Sequence, residues 1–327
     1  MDKAALKTII GNIYDKDIEF VNIINSLSKV NKKFYIYAGV ASLILMVGVC
    51  VSTALGLLLP LPYLCIGLII LGVGIFFLIS AIKIYINSDR KELTKNFINH
   101  HFSKGKLDEV YRISISEEKG KDYIKDLKFF LVNPKTTIAN NSYLERDDEV
   151  NYVTFLYKDI PVNFRNKLPI RHVERHTVDG ETEEHVYYEN STLLKCENNL
   201  YDNTFNGLKI TRGRMFDKNY QTESVVFNKL YDINLKKGDI RAAKFLTPKL
   251  IDGFSNIKHK DFNYLIIEND FKIEHTSFRD NAPQESLGVI SFDTVFSYES
   301  YKKKLANKVK EDVHNLIKAM KYIEYIY

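Results

Sequence analysis

A chain of 327 residues, 45% of them hydrophobic, can bury a sizeable core, which excludes a wholly disordered protein. Its 46 basic and 41 acidic side chains leave a formal charge of +5, too modest to call for a nucleic-acid partner. The three cysteines, Cys50, Cys65 and Cys196, are too scattered for a small disulfide scaffold or a zinc-ligand frame, and no cofactor is expected.

Residues 1–33 read as an amphipathic cytosolic helix. Leu6, Ile10, Ile13, Phe20, Ile24 and Leu27 keep an alternating 4,3 spacing, with Asp17 at the one position that interrupts the stripe. Leu6, Ile10, Ile13, Phe20 and Ile24 are the candidate partner-binding residues. A helix packed on the rest of the chain is the plainer account of the same pattern.

Residues 34–87 form the predicted transmembrane hairpin. One apolar run extends roughly from Phe34 to Leu59, the second roughly from Tyr63 to Ile86, and Pro60, Leu61 and Pro62 separate them. No charge appears until Lys83, and each run exceeds the ~20 residues that cross a bilayer as a helix. Lys29, Lys32 and Lys33 precede the first run, while Lys83, Arg90, Lys91 and Lys95 close the second. Basic flanks favour the cytoplasmic side, so both termini are expected there, with the uncharged proline corner outside. The apolar stretch begins too far into the chain to read as a signal peptide. Six glycines in the two runs would permit close helix contacts.

Residues 88–105 are a predicted stalk helix, with Ser88-Asp89 as its cap and Gly105 as its stop. Residues 106–327 are then a cytosolic α+β domain. Val110–Ile115 alternates like a strand, and Phe129–Val132 and Val150–Tyr157 are rich in aromatic and branched residues. A further strand is expected near residues 205–210. Residues 224–230 also read as strand, residues 240–254 as helix despite Pro248, and residues 264–273 as a hairpin. The chain closes on a long helix over 298–327, whose apolar face carries Leu305, Val309, Val313, Leu316, Met320 and Ile323. Its Lys302, Lys303, Lys304, Lys308 and Lys310 read as a solvated face or as a contact with anionic lipid.

Asp179-Gly180 is the strongest short hairpin signal. A two-residue turn would pair Val178 with Glu181 and Glu174 with His185, placing His172, Glu174, His176, Glu183, His185 and Tyr187 on one face. His172, His176 and His185 are therefore the candidate metal ligands. A solvent-exposed ribbon is the plainer reading, and a one-residue slip would scatter the ligands. Asp147, Asp148 and Glu149 form an acidic cluster read as a loop. The motifs of serine hydrolases, zinc proteases and phosphate-binding loops are missing from the sequence.

Residues 205–210 (Phe-Asn-Gly-Leu-Lys-Ile), residues 223–233 (Glu-Ser-Val-Val-Phe-Asn-Lys-Leu-Tyr-Asp-Ile) and residues 239–251, which include Leu246-Thr247-Pro248, resemble a bacterial membrane-protein family of unknown function. Its members join an N-terminal helix and two close transmembrane helices to a C-terminal α+β domain with Phe-x-Gly, Glu-Ser-x-x-Phe and Leu-Thr-Pro segments. The architectural likeness covers nearly the whole chain and the motif likeness about residues 205–255; it implies fold and topology only, not an activity.

The expected role is a membrane-anchored cytosolic binding or scaffold module that touches membrane lipids and a protein partner or a second copy of itself. A membrane-tethered metal-dependent enzyme and an accessory subunit of a transporter are the alternatives.

Overall fold

The computed structural model describes residues 2–58, 64–103, 105–132, 150–178, 181–213, 220–257, 260–280 and 283–327. The proline corner, the Asp147–Glu149 cluster and the Asp179-Gly180 turn lie outside them. The chain divides into a helical unit, residues 7–106 and 291–305, and a sheet unit, residues 1–6, 107–290 and 306–327.

In the helical unit the single N-terminal helix expected from the stripe is two. Helix α1 spans Lys3–Tyr14, and α2 runs from Ile18 to Leu58. Asp17 is the reason for the break: its carboxylate accepts the Phe20 N–H at 2.9 Å and caps α2. Helix α2 continues for 41 residues, through residue 33 and into the first apolar run.

Helix α3 is Leu64–Ile86 and α4 is Ser88–His101, the latter capped by Asn87, one residue before the expected position. Tyr14, Phe20, Phe97, His101 and Tyr301 form an aromatic hub. Phe20 lies 5.6 Å from Phe97 and 5.3 Å from Tyr301, and the Tyr14 hydroxyl donates to the His101 carbonyl at 2.9 Å. Asn31, 1% exposed, donates to the carbonyls of Phe292 and Val295.

Burial alone would raise the Asp17 pKa, but bonds from Lys106, the Phe20 N–H and His100 outweigh it and lower the value from 3.8 to about 2. A depressed carboxylate stabilises the fold above its unfolded value and loses that contribution as pH falls through the folded value. After discount for solvent screening the contribution is about 1 kcal/mol. Asp17→Asn should therefore be the less stable protein near neutral pH, and its deficit should close between about pH 4 and pH 2. Acid titration of thermal melts for both proteins measures this, and a constant deficit would contradict it.

The two apolar helices pack tightly on each other. A Cβ at Gly67 would lie 2.9 Å from the Ser52 Cα, and one at Gly74 would lie 2.8 Å from Leu45, so only glycine permits this approach. Outward, Ile36, Leu43, Met46, Ile69 and Phe76 are each more than 60% exposed. Both helices are long and apolar enough to cross a membrane, yet only 11% and 17% of their most apolar windows are buried.

Among the described residues the sheet unit is built on nine antiparallel strands: β1 Lys125–Phe130, β2 Tyr152–Tyr157, β3 Ile160–Asn166, β4 Ile170–Val178, β5 Glu181–Glu197, β6 Lys209–Arg212, β7 Tyr231–Ile233, β8 Phe262–Ile267 and β9 Asp270–Asp280. Their order is β1-β2-β3-β5-β9-β8-β6-β7, with β4 also on β5. Strands β3 and β4 follow the same edge of β5: Asn166 pairs with Thr192, and Ile170 pairs with Glu189. Three residues, 167–169, therefore oppose two. This is a bulge at Pro169, which has no N–H to give the ladder.

Alternation gives the sheet a core face, where Phe155, Phe164, Leu194, Ile210, Leu265, Phe271 and Ile273 are buried. The later part of helix α9, Tyr298–Ile326, packs there through Tyr322, 4.5 Å from Phe262. All six expected apolar positions of α9 are buried. Its lysines divide: Lys303 and Lys310 are exposed, but Lys308 is 8% exposed and paired with the fully buried Asp312 at 2.8 Å.

Two expected strands are helices. Helix α5, Lys106–Lys119, buries Leu107, Val110, Tyr111, Ser114 and Ile115, a 3,1,3,1 spacing that marks one helical face and overrides the short alternation within it. Helix α6, Val225–Leu230, starts where the Ser224 side chain accepts the Phe227 N–H. The segment expected as strand near 205–210 splits into a 3₁₀ turn, Asn203–Phe205, and β6. Pro248 restarts the helix: α7, Ile240–Phe245, ends before it, and α8, Pro248–Asn256, begins with it under a Thr247 cap.

Candidate functional site

The histidine ribbon has the expected register, with Val178 opposite Glu181 and Glu174 opposite His185. Register, however, does not bring His172, His176 and His185 to one point. Four residues along a strand separate His172 from His176 by about 13 Å, far beyond what one ion with ~2.1 Å bonds can bridge. Each histidine takes a different carboxylate: His172 meets Glu189 at 3.0 Å, His176 meets Glu174 at 3.5 Å, and His185 meets Asp280 at 3.3 Å. Among the described residues no group of metal-ligating side chains converges. These histidine–carboxylate contacts lie exposed or half-buried along the ribbon.

The N-terminal stripe is covered by the chain itself. Leu6, Ile10, Phe20 and Ile24 have no exposed surface, and Ile13 is half-buried.

The second face of the sheet is different. Cross-strand register lays two rows over it. One row reads Lys209, Ile266, Lys272, Lys195, Asn163, Thr154 and Lys128; the other reads Thr211, Tyr264, Glu274, Leu193, Arg165, Tyr152 and Phe130. Basic side chains from five strands thus share one surface. Two concavities mark it, of about 650 Å³ and about 290 Å³, and Lys195 lines both.

Beneath the smaller cavity a polar network is fixed in place. The Glu274 carboxylate, 5% exposed, accepts from Lys167 at 3.0 Å, Asn263 Nδ2 at 2.9 Å and the Tyr264 hydroxyl at 3.1 Å. Asn263 is the extra residue of a second bulge, since Phe262 pairs with His275 and Tyr264 with Glu274. In the larger cavity the Arg165 guanidinium lies 5.2 Å from the Tyr152 ring centre and donates to Asn163 Oδ1. Lysine and arginine thus share this face with the carboxylates of Asp126, Glu197, Glu268 and Asp270, which line the same two cavities.

No family model, curated protein or solved structure matches this chain.

Sequence reasoning missed this face because Lys128, Arg165, Lys167, Lys195, Lys209 and Lys272 are spread over 145 positions without a local motif. The signal that could have found them is strand alternation, as in Leu193-Leu194-Lys195-Cys196, once the register is known. Cys196 lies on the core side of that strand. Burial pushes its thiol up to about 12, aided by Asp270 and Glu197. Cys196 should therefore resist a maleimide in the folded protein and react after denaturation, which mass spectrometry of labelled peptides measures.

Proposed function

We propose that this protein is a membrane-anchored binding module, held by the α2–α3 hairpin and presenting the open sheet face to its ligand. The observation that carries the reading is the exposure of the two apolar helices. A helix of that length and hydropathy in a soluble core would be mostly buried, and here barely a sixth of either window is. Lipid is the solvent that suits such a surface. Both termini are assigned to the cytoplasmic side, because the exposed Lys29, Lys32, Lys33, Lys91 and Lys95 flank the hairpin at its open end. The membrane is assigned as a bacterial plasma membrane on the family resemblance of residues 205–255.

The chain should stay with the membrane fraction through alkaline carbonate and leave only with detergent; release by carbonate would contradict the anchor. In this reading the sheet face is the binding element.

A further inference from the structure

Residues 291–297 (Ser-Phe-Asp-Thr-Val-Phe-Ser) are far in sequence from the apolar runs, yet within the helical unit they are tied to the foot of both. Asn31 of α2 donates to the carbonyls of Phe292 and Val295, and Ser28 Oγ donates to the carbonyl of Phe296. The Phe296 ring nevertheless meets Tyr35, 5.3 Å between centres and nearly edge-on. Seven residues of helix separate Ser28 from Tyr35, about 10 Å of rise, so the ring points along α2 towards its apolar run. On the other side the buried Arg90 of α4 pairs with the Asp293 carboxylate and lies 4.0 Å from the Tyr85 ring centre. Tyr85 is in turn 5.3 Å from Phe34. Tyr35 and Tyr85, 44% and 45% exposed, thus mark the start of the first run and the end of the second, and the exposed Lys32, Lys33 and Lys83 flank them. Tyrosine beside lysine is the pattern of a membrane–water boundary, where the ring sits among headgroups and the long cationic chain reaches out to water.

We propose that residues 291–297 rest in the headgroup layer of a phospholipid bilayer, with the Phe296 ring inserted beside Tyr35. The inference rests on the hairpin anchor and extends it: the bilayer surface is a partner of the helical unit's body as well as the solvent of its two apolar helices. Phe296 is half-buried, and its open side continues the apolar surface of α2, where Ile36 is 62% exposed. That continuity makes lipid the occupant. Asp293 is the only carboxylate in the segment, and its pairing with Arg90 lets the segment approach headgroups without stranding a charge. Three hydrogen bonds from Ser28 and Asn31 fix the segment to α2, so its depth is set by the helix that enters the membrane.

The chain has no tryptophan, so a single substitution introduces one indole as a depth probe. The full chain is reconstituted in phosphatidylcholine vesicles that contain lipid spin-labelled either at the top of the acyl chain or near its end. Phe296→Trp should be quenched at least twice as strongly by the shallow label as by the deep one, and Tyr35→Trp should match it. Phe292→Trp is a second reporter in the segment, with the same expected order, should the first variant fail to fold. Phe76→Trp, about 13 Å beyond Tyr85 along α3, should show the reverse order, and Ile18→Trp, about 25 Å before Tyr35 along α2, should escape both labels. Quenching in Phe296→Trp and Phe292→Trp no stronger than in Ile18→Trp, or stronger by the deep label than by the shallow one, overturns the proposal while the Phe76→Trp result keeps the anchor. Quenching of Phe76→Trp by neither label removes the anchor and the proposal with it, so the two failures are told apart.

Discussion

Asp312→Ala should lower stability by about 3–5 kcal/mol, the scale for stripping one partner from a buried ion pair. Asp312 has no exposed surface, and its carboxylate accepts from the Tyr111 hydroxyl at 2.6 Å, Lys308 Nζ at 2.8 Å, the Gly288 N–H at 3.1 Å and Asn166 Nδ2 at 3.2 Å. Lys308 and Asn166 are tied in turn to the Glu285 carbonyl. One carboxylate thus fastens α9 to α5, to the end of β3 and to the chain over 285–288. Alanine at 312 would leave the Lys308 charge buried without its counter-charge, together with three other donors. The double variant Lys308→Met, Asp312→Leu should be more stable than Asp312→Ala, because it buries no uncompensated charge. Tyr111→Phe removes one bond to a charged acceptor and should cost about 1.5–3 kcal/mol. Thermal and urea unfolding followed by circular dichroism measure all three. A loss near zero for Asp312→Ala would mean the cluster does not hold these elements together.

Met46→Lys combined with Phe76→Lys should nearly abolish membrane insertion. The two residues lie near the middle of the apolar runs, 66% and 65% exposed on α2 and α3. A lysine at the bilayer centre costs about 2.5–3.5 kcal/mol, so two together cost roughly 6 kcal/mol. The sign separates the environments. If water bathed these helices, exchanging an exposed apolar residue for lysine would change stability by less than about 0.5 kcal/mol and would favour solubility. Fractionation of expressed variants decides: the membrane-bound share should fall at least tenfold.

The two apolar helices were legible because runs of bilayer length, with Lys83 as their one charge, need no tertiary context to be seen. The α9 face and the β4–β5 register were legible for the same local reason, one from helical spacing and the other from a two-residue turn. Local spacing failed at Val110–Ile115, where six alternating residues hid a helical face that becomes plain only when Leu107 is included. At Ser224 the cap itself was the missed signal. The stripe from Leu6 to Ile24 was read with the correct period, but period does not say what covers a face; rings from α4 and α9 meet it at Phe20. The lysine face was beyond reach, since it depends on the register of seven strands and on two bulges that sequence alternation does not announce.

Side-specific cysteine labelling tests the central claim most directly. Cys50, Cys65 and Cys196 are replaced by alanine, and one new cysteine is introduced at an exposed site, Lys303→Cys or Asn99→Cys. In sealed right-side-out membranes a membrane-impermeant maleimide should leave both positions unlabelled until detergent opens the vesicles, after which both should react fully. Labelling before the vesicles are opened, or recovery of the protein in the soluble fraction, would contradict a hairpin-anchored module whose body lies on the cytoplasmic side.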